Sequence, residues 1–157
     1  MTMKKLRLYL DTTIFNYAFA DDCPIERDIT LKFFFQIDRF EVCISDIVLR
    51  EISRCSEIKQ KKLFELVHQY DLEVLGFDDN ADELSVAYVR NGIIPVKYED
   101  DANHIAIASV RNCDVILSWN FKHIVKVKTK REVAGINLLK GYNLIDIYTP
   151  KEVIEDV

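Results

Sequence analysis

Five residues, distant along the chain, have types and positions suited to chemistry at phosphate: Asp11, Glu51, Asp101, Asn120 and Ser118. Asp11 closes a short apolar run, Leu6–Leu10, and Asp101 opens an apolar helical run ninety positions later. A carboxylate at the end of a buried strand contributes nothing to a core. Two of them sharing one crevice repel unless a cation lies between them. Oxygen donors without patterned cysteine or histidine favour Mg²⁺ or Mn²⁺ over zinc. Such an ion polarises a phosphoryl oxygen and lowers the pKa of water, which suits phosphodiester hydrolysis. Glu51 lies two helical turns beyond a second strand and can lean back over the strand ends. Ser118 and Asn120 follow a fourth strand and can position water or ligand.

Each residue also has a plainer reading. Asp11 reads as a turn residue or helix cap, and Asp100 or Asp101 as a cap favoured by the helix dipole. Glu51 reads as a surface helix charge and Asn120 as a turn residue. His104, one helical turn after Asp101, is either near the site or simply packed. His123 reads as packed or as a phosphate contact, and His68 as a surface residue. Lys59, Lys61 and Lys62 form one basic cluster; Lys122, Lys126, Lys128, Lys130 and Arg131 form another. These are solvated faces or a phosphate-tracking rim. Tyr9, Tyr17, Phe19 and Trp119 are candidate stacking surfaces.

The elements that must position these groups alternate strand and helix. Strands are expected at Leu6–Leu10, Glu41–Ile44, Leu72–Phe77, Asp114–Ser118 and Leu144–Tyr148. After the first, Asp21 and Asp22 offer caps, Pro24 suits a first turn, and Ile25, Ile29, Phe33 and Ile37 form a core-facing stripe. Ser45 or Asp46 can cap a helix over Ile47–Ser53, and Ser56 precedes one with the face Leu63, Leu66, Val67 and Tyr70. A helix from Asp78–Asn80 stops at Asn91-Gly92. Another begins at Asp100 or Asp101. Thr129 can cap a helix running to Lys140, with Gly141 as its stop, and Thr149-Pro150 a short terminal one. Strands separated by helices imply an α/β domain with parallel pairing and helices on both faces. Ligands in such sheets bind beyond the carboxyl ends of strands, where the order reverses. If the first and fourth strands are neighbours, Asp11 and Asn120 face one crevice.

Bulk properties agree with one domain spanning 1–157. The chain has 157 residues, 49% hydrophobic and 30% charged, with a net charge of −5; this suits a globular domain with a sizeable core. The acidic balance argues against tight non-specific DNA binding. Cys23, Cys43, Cys55 and Cys113 lack zinc-ribbon spacing. The basic Met1–Arg7 start precedes a run too short for a signal peptide, and no apolar run is long enough to span a membrane. A cytoplasmic protein with free thiols is the expectation.

The ordered residues resemble a family. Leu10-Asp11-Thr12-Thr13-Ile14-Phe15 resembles the opening of PIN-domain nucleases. Ser45-x-x-Val48-x-x-Glu51-Ile52 is similar to their second segment. Asp101-Ala102-Asn103-His104-Ile105-Ala106-Ile107-Ala108 resembles the third, and Ser118-Trp119-Asn120-Phe121 the fourth, where an aspartate usually stands in place of Asn120. The resemblance implies a three-layer α/β/α sandwich with a mostly parallel sheet ordered 3-2-1-4-5. It implies a Mg²⁺ or Mn²⁺ site carried by Asp11, Glu51 and Asp101, with Asn120 and Ser118 beside it, and cleavage of single-stranded RNA. VapC-like toxins are the commonest small members, so a small antitoxin and a homodimer are implied too. Asn120 brings no charge, which leaves a second metal less tightly held. It also motivates a second reading, a PIN-fold module that binds RNA or a partner protein without cutting. A haloacid-dehalogenase-type phosphatase needs a second aspartate where Thr13 stands.

Overall fold

The computed structural model describes residues 4–155. Part of the basic Met1–Arg7 start therefore lies outside the described residues. Five strands form one parallel sheet in the order β3-β2-β1-β4-β5. They are β1 (Arg7–Leu10), β2 (Glu41–Ser45), β3 (Glu73–Leu75), β4 (Val115–Leu117) and β5 (Asp146–Tyr148). Helices α1 (Thr12–Tyr17), α2 (Pro24–Phe35), α3 (Asp46–Ser53), α4 (Glu57–Gln69), α5 (Asp79–Arg90), α6 (Glu99–Val110) and α7 (Val127–Lys140) make the connections.

β1 is central because both its faces are apolar. Leu8 and Leu10 enter one core with Val115, Leu117 and α1–α4; Tyr9 enters the other with Ile116 and α5–α7. Leu8, Tyr9 and Leu10 are fully buried, and each contributes on the order of 2 kcal/mol. Tyr9 pairs in register with Cys43 on one side and Ile116 on the other. The chain runs from β1 to β2 and β3, then crosses back to β4. The order therefore reverses between β1 and β4, and their carboxyl ends open the crevice expected at such a point.

Several local expectations shift. α1 follows β1 directly although Thr12, Thr13 and Ile14 are β-branched and weak helix formers. Asp11 starts it as the cap, accepting the Thr13 N–H. In α2 the buried stripe begins late. Ile25 is 72% exposed. Cys23, without a side-chain cap bond, holds the N-cap position, while Asp21 pairs with Arg27 instead. Tyr98 precedes α6 and neither Asp100 nor Asp101 caps it. Thr129 lies inside α7, with its hydroxyl donated to the His123 carbonyl. Ser45, Ser56, Asp78 and Thr149 do cap their helices. Gly92 and Gly141 take positive φ at helix ends, where glycine carries no Cβ penalty. All four cysteines are free; Cys43 and Cys113 Sγ touch at 3.5 Å in the core. No helix among the described residues is long and apolar enough to cross a membrane.

Candidate active site at the β1–β4 crevice

The parallel ladder continues one step beyond the strands. Asp11 N–H donates to the Leu117 carbonyl at 3.2 Å, and Ser118 N–H to Tyr148 at 3.0 Å. These bonds deliver Asp11 and Ser118 side by side. Asp11 is 2% exposed. Its Oδ1 accepts the Thr13 N–H at 3.0 Å and the Thr13 hydroxyl at 2.5 Å; its Oδ2 accepts the Ser118 hydroxyl at 2.5 Å. Burial pushes its pKa up to about 6, against the pull of His104, Ser118 and Thr13. Asp11 is thus both a helix cap and a buried acid under electrostatic strain.

Asp101 faces the same crevice from the first turn of α6. Burial raises its pKa, opposed by His104 and by a hydrogen bond from Asn120. Its neighbour Asp100 is drawn away by Arg50 on α3 at 2.8 Å and by Arg54, the C-cap of α3, at 3.4 Å. That settles which of the two acids turns inward. Asn120 spends Oδ1 on the His123 N–H at 2.9 Å, so its amide is the end presented to Asp101. Its own N–H donates to Ser118 Oγ at 2.9 Å. Ser118 therefore accepts from Asn120 and donates to Asp11, which makes it a clamp on the acid.

Glu51 leans back from α3 as expected, but it does not stand alone. Thr12 Oγ1 donates to its Oε1 at 3.0 Å, and His104 Nε2 bonds to the same oxygen. By sequence, His104 is either packed or near the site. It is packed, at 2% exposure, and it belongs to the site as well. The signal was available in its spacing, one turn after Asp101 on one helix face. Burial opposes a charge on this ring, yet Glu51, Asp11 and Asp101 together raise its pKa. Tyr9, considered for stacking, is fully buried and hydrogen-bonded instead. His123 packs against the Tyr98 ring at 4.3 Å, and His68 is exposed beside Phe64.

The Glu51 charge raises the pKa of both Asp11 and Asp101. Among the described residues, no three His, Cys, Asp or Glu side chains lie close enough to cage a metal by themselves. A closed zinc-type site is therefore a poor fit. Mg²⁺ fits better, since it takes one or two carboxylates and keeps several waters. Asp11 and Asp101 are the two acids whose burial a cation would relieve.

No model of a known protein family matches this sequence, and no curated protein matches it. Solved structures do. One chain of VapBC2 from Rickettsia felis, in a crystal with a DNA fragment from their promoter, superposes with a TM-score of 0.56 at 20% identity, covering 90% of this chain and 97% of that one. A chain of DNA-bound VapBC from Salmonella typhimurium gives 0.54 at 22% identity, covering 92% and 98%. The sheet order, helices on both faces and near-complete coverage agree. The fold is PIN-like. At these identities the likeness is one of architecture, and the PIN-like crevice of this chain is argued from its own residues.

Proposed function

We propose that this chain is a Mg²⁺- or Mn²⁺-dependent endoribonuclease, the toxin of a type II toxin–antitoxin pair. One observation carries the reading: the buried Asp11 and the half-buried Asp101, both with raised pKa values, face one crevice at the β1–β4 reversal. Burying carboxylates with no cation partner is costly, and a site for a divalent ion explains why they are there.

Asp11 and Asp101 would hold the ion, with Glu51 beside them. When bound, the ion supplies Lewis acidity toward a phosphoryl oxygen and water. The chain's own groups do the rest. Thr13 and Ser118 fix the direction of the Asp11 carboxylate. Asn120 orients Asp101 through its amide. Glu51, with one oxygen anchored, keeps the other for a water proton or the substrate. The substrate would be single-stranded RNA. Lys59 and Lys62 edge a 590 Å³ groove that also contains Tyr17 and Phe19, a pairing of cations and aromatic rings suited to a phosphate backbone and its bases. Lys122, two residues after Asn120, sits 5.1 Å from the Tyr98 ring. A small antitoxin covering the crevice, a homodimer and a cytoplasmic setting belong to the same proposal; the similarity to chains of VapBC assemblies supports the antitoxin.

A cleavage assay on mixed RNAs with Mg²⁺, Mn²⁺ and chelator arms tests it. Metal-dependent cleavage that disappears in Asp11→Asn is the expected result. Cleavage persisting in excess EDTA, or in Asp11→Asn, rules the reading out. The second reading, a PIN-fold module that binds RNA or a partner without cutting, draws on Asn120. This residue brings no charge, and its side chain is already engaged by His123 and Asp101. RNA binding without turnover at any metal concentration favours it.

A further inference from the structure

We propose that Tyr9 and His104 form a positioning relay that pins Glu51 by one carboxylate oxygen and reserves the other for the reaction centre. Its consequence rests on the nuclease reading above; its existence rests on geometry alone. Both donors to Glu51 reach the same atom. Thr12 Oγ1 at 3.0 Å and His104 Nε2 both meet Oε1. The Glu51 side chain keeps 29% of its surface exposed, so Oε2 is left for water, ion or substrate.

The other edge of the imidazole is held equally. His104 Nδ1 meets the Tyr9 hydroxyl at 2.6 Å, and that hydroxyl meets Ser45 Oγ at 2.7 Å. Ser45 Oγ accepts the Ile47 N–H at 3.2 Å as the cap of α3. Glu51 lies on that same helix. The relay therefore leaves α3 at Ser45, passes through β1 and α6, and returns to α3 at Glu51. A closed circuit of this kind fixes the angle of the glutamate relative to the β1 end, where Asp11 stands. Tyr9 and His104 touch no substrate; they act through Glu51.

From Glu51 to Ser45 every link has one donor and one acceptor in either ring state. A neutral imidazole with its proton on Nε2 donates to Glu51; Tyr9 then donates to Nδ1, and Ser45 to Tyr9. With an imidazolium, Nδ1–H donates to Tyr9, and Tyr9 donates to Ser45. Nε2–H faces Oε1 both times. The pinning is independent of the ring's charge, and a tyrosine hydroxyl is suited to the middle place because it accepts or donates as required. Groups that orient a metal-site residue in this manner typically change metal affinity or activity by about 10–100-fold when removed.

The test uses the full chain with Tyr9→Phe, His104→Gln, which retains a donor near the Nε2 position, and His104→Asn, which does not. Thermal melts check that each folds; Tyr9→Phe keeps the buried ring. Mn²⁺ affinity by calorimetry and kcat and KM on RNA are read for each, with ring-nitrogen NMR on the metal-free wild type, Tyr9→Phe and Glu51→Gln. Expected are about 10-fold losses in Mn²⁺ affinity and kcat for Tyr9→Phe at unchanged KM, larger losses for His104→Asn, and substantial recovery in His104→Gln. A double Tyr9→Phe/His104→Asn variant should be no worse than His104→Asn alone, since both break one circuit. Wild-type Mn²⁺ affinity and kcat in Tyr9→Phe and His104→Asn, or a Gln variant no better than Asn, overturns the relay. If the wild type neither binds Mn²⁺ nor cleaves, the nuclease reading fails by itself. The NMR arm then decides the relay: a hydrogen-bonded His104 Nε2–H signal displaced by both Tyr9→Phe and Glu51→Gln supports it, and its absence refutes it.

Discussion

Ser118 donates its hydroxyl proton to Asp11 across the seam between β4 and β1, with 2.5 Å between Oγ and Oδ2. The same oxygen atom accepts the Asn120 N–H. One hydroxyl thus ties the buried acid of the first strand to the turn after the fourth, and fixes which way the carboxylate looks.

Asp11→Asn should reduce RNA cleavage by at least about 10²-fold, the scale seen when one preorganised electrostatic group is lost. Its melting temperature should stay level or rise at pH 8 in chelator, because a strained buried charge is removed while Thr13 and Ser118 still find polar atoms. A fall of several degrees together with lost activity would mean that the variant reports on folding.

The metal-free protein should be more stable in mild acid than in base. Burial lifts Asp11 from 3.8 to about 6. The folded state then holds its proton more tightly than the unfolded chain does. Stability therefore falls as pH climbs from about 4 through about 6, by on the order of 3 kcal/mol. Asp101, raised by burial, acts in the same direction. So does His104, whose raised pKa overcomes its burial, and whose share is lost as pH rises past the folded value. Melting in EDTA across pH 4–8 reads this directly, and adding Mn²⁺ at pH 8 should restore the loss. A flat or rising profile contradicts the burial argument.

Asn120→Asp should separate the two functional readings. The new carboxylate can still accept the His123 N–H, but it replaces an amide that faces Asp101 with a like charge. Without metal the variant should lose about 1–2 kcal/mol, the scale of a lost buried hydrogen bond and its unmet partner. With Mn²⁺ it should bind more tightly than the wild type in calorimetry. Silent wild type with a responsive variant favours the non-cutting module; response in both favours the nuclease.

Trp119, the only tryptophan in the chain, should report on the site. Its indole N–H donates to Thr30 at 2.8 Å, its ring stacks on Tyr17, and its backbone N–H bonds Thr13 Oγ1, the same hydroxyl that holds Asp11. Titrating Mn²⁺ should quench its fluorescence saturably, and Asp11→Asn should abolish that response. Trp119→Phe, which leaves Thr30 without its indole partner, should cost about 1–3 kcal/mol in denaturant melts.

Much of this architecture was written locally in the chain. Alternating strand and helix patterns with Ser45, Ser56 and Asp78 as caps yielded the α/β class, because caps and apolar periods act over a few residues. Asp11, Glu51, Asp101, Ser118 and Asn120 could be chosen because polar groups at the ends of buried strands stand out from the core pattern. Tertiary structure decided what those residues do to one another. The adjacency of β1 and β4 put Ser118 against Asp11. Arg50 and Arg54, on another helix, drew Asp100 outward and left Asp101 inward. Tyr9, a candidate stacking ring by its sequence, is instead a buried hydrogen-bonding support for His104. Each outcome depends on contacts between residues far apart in sequence, and these exist only after the layers have packed.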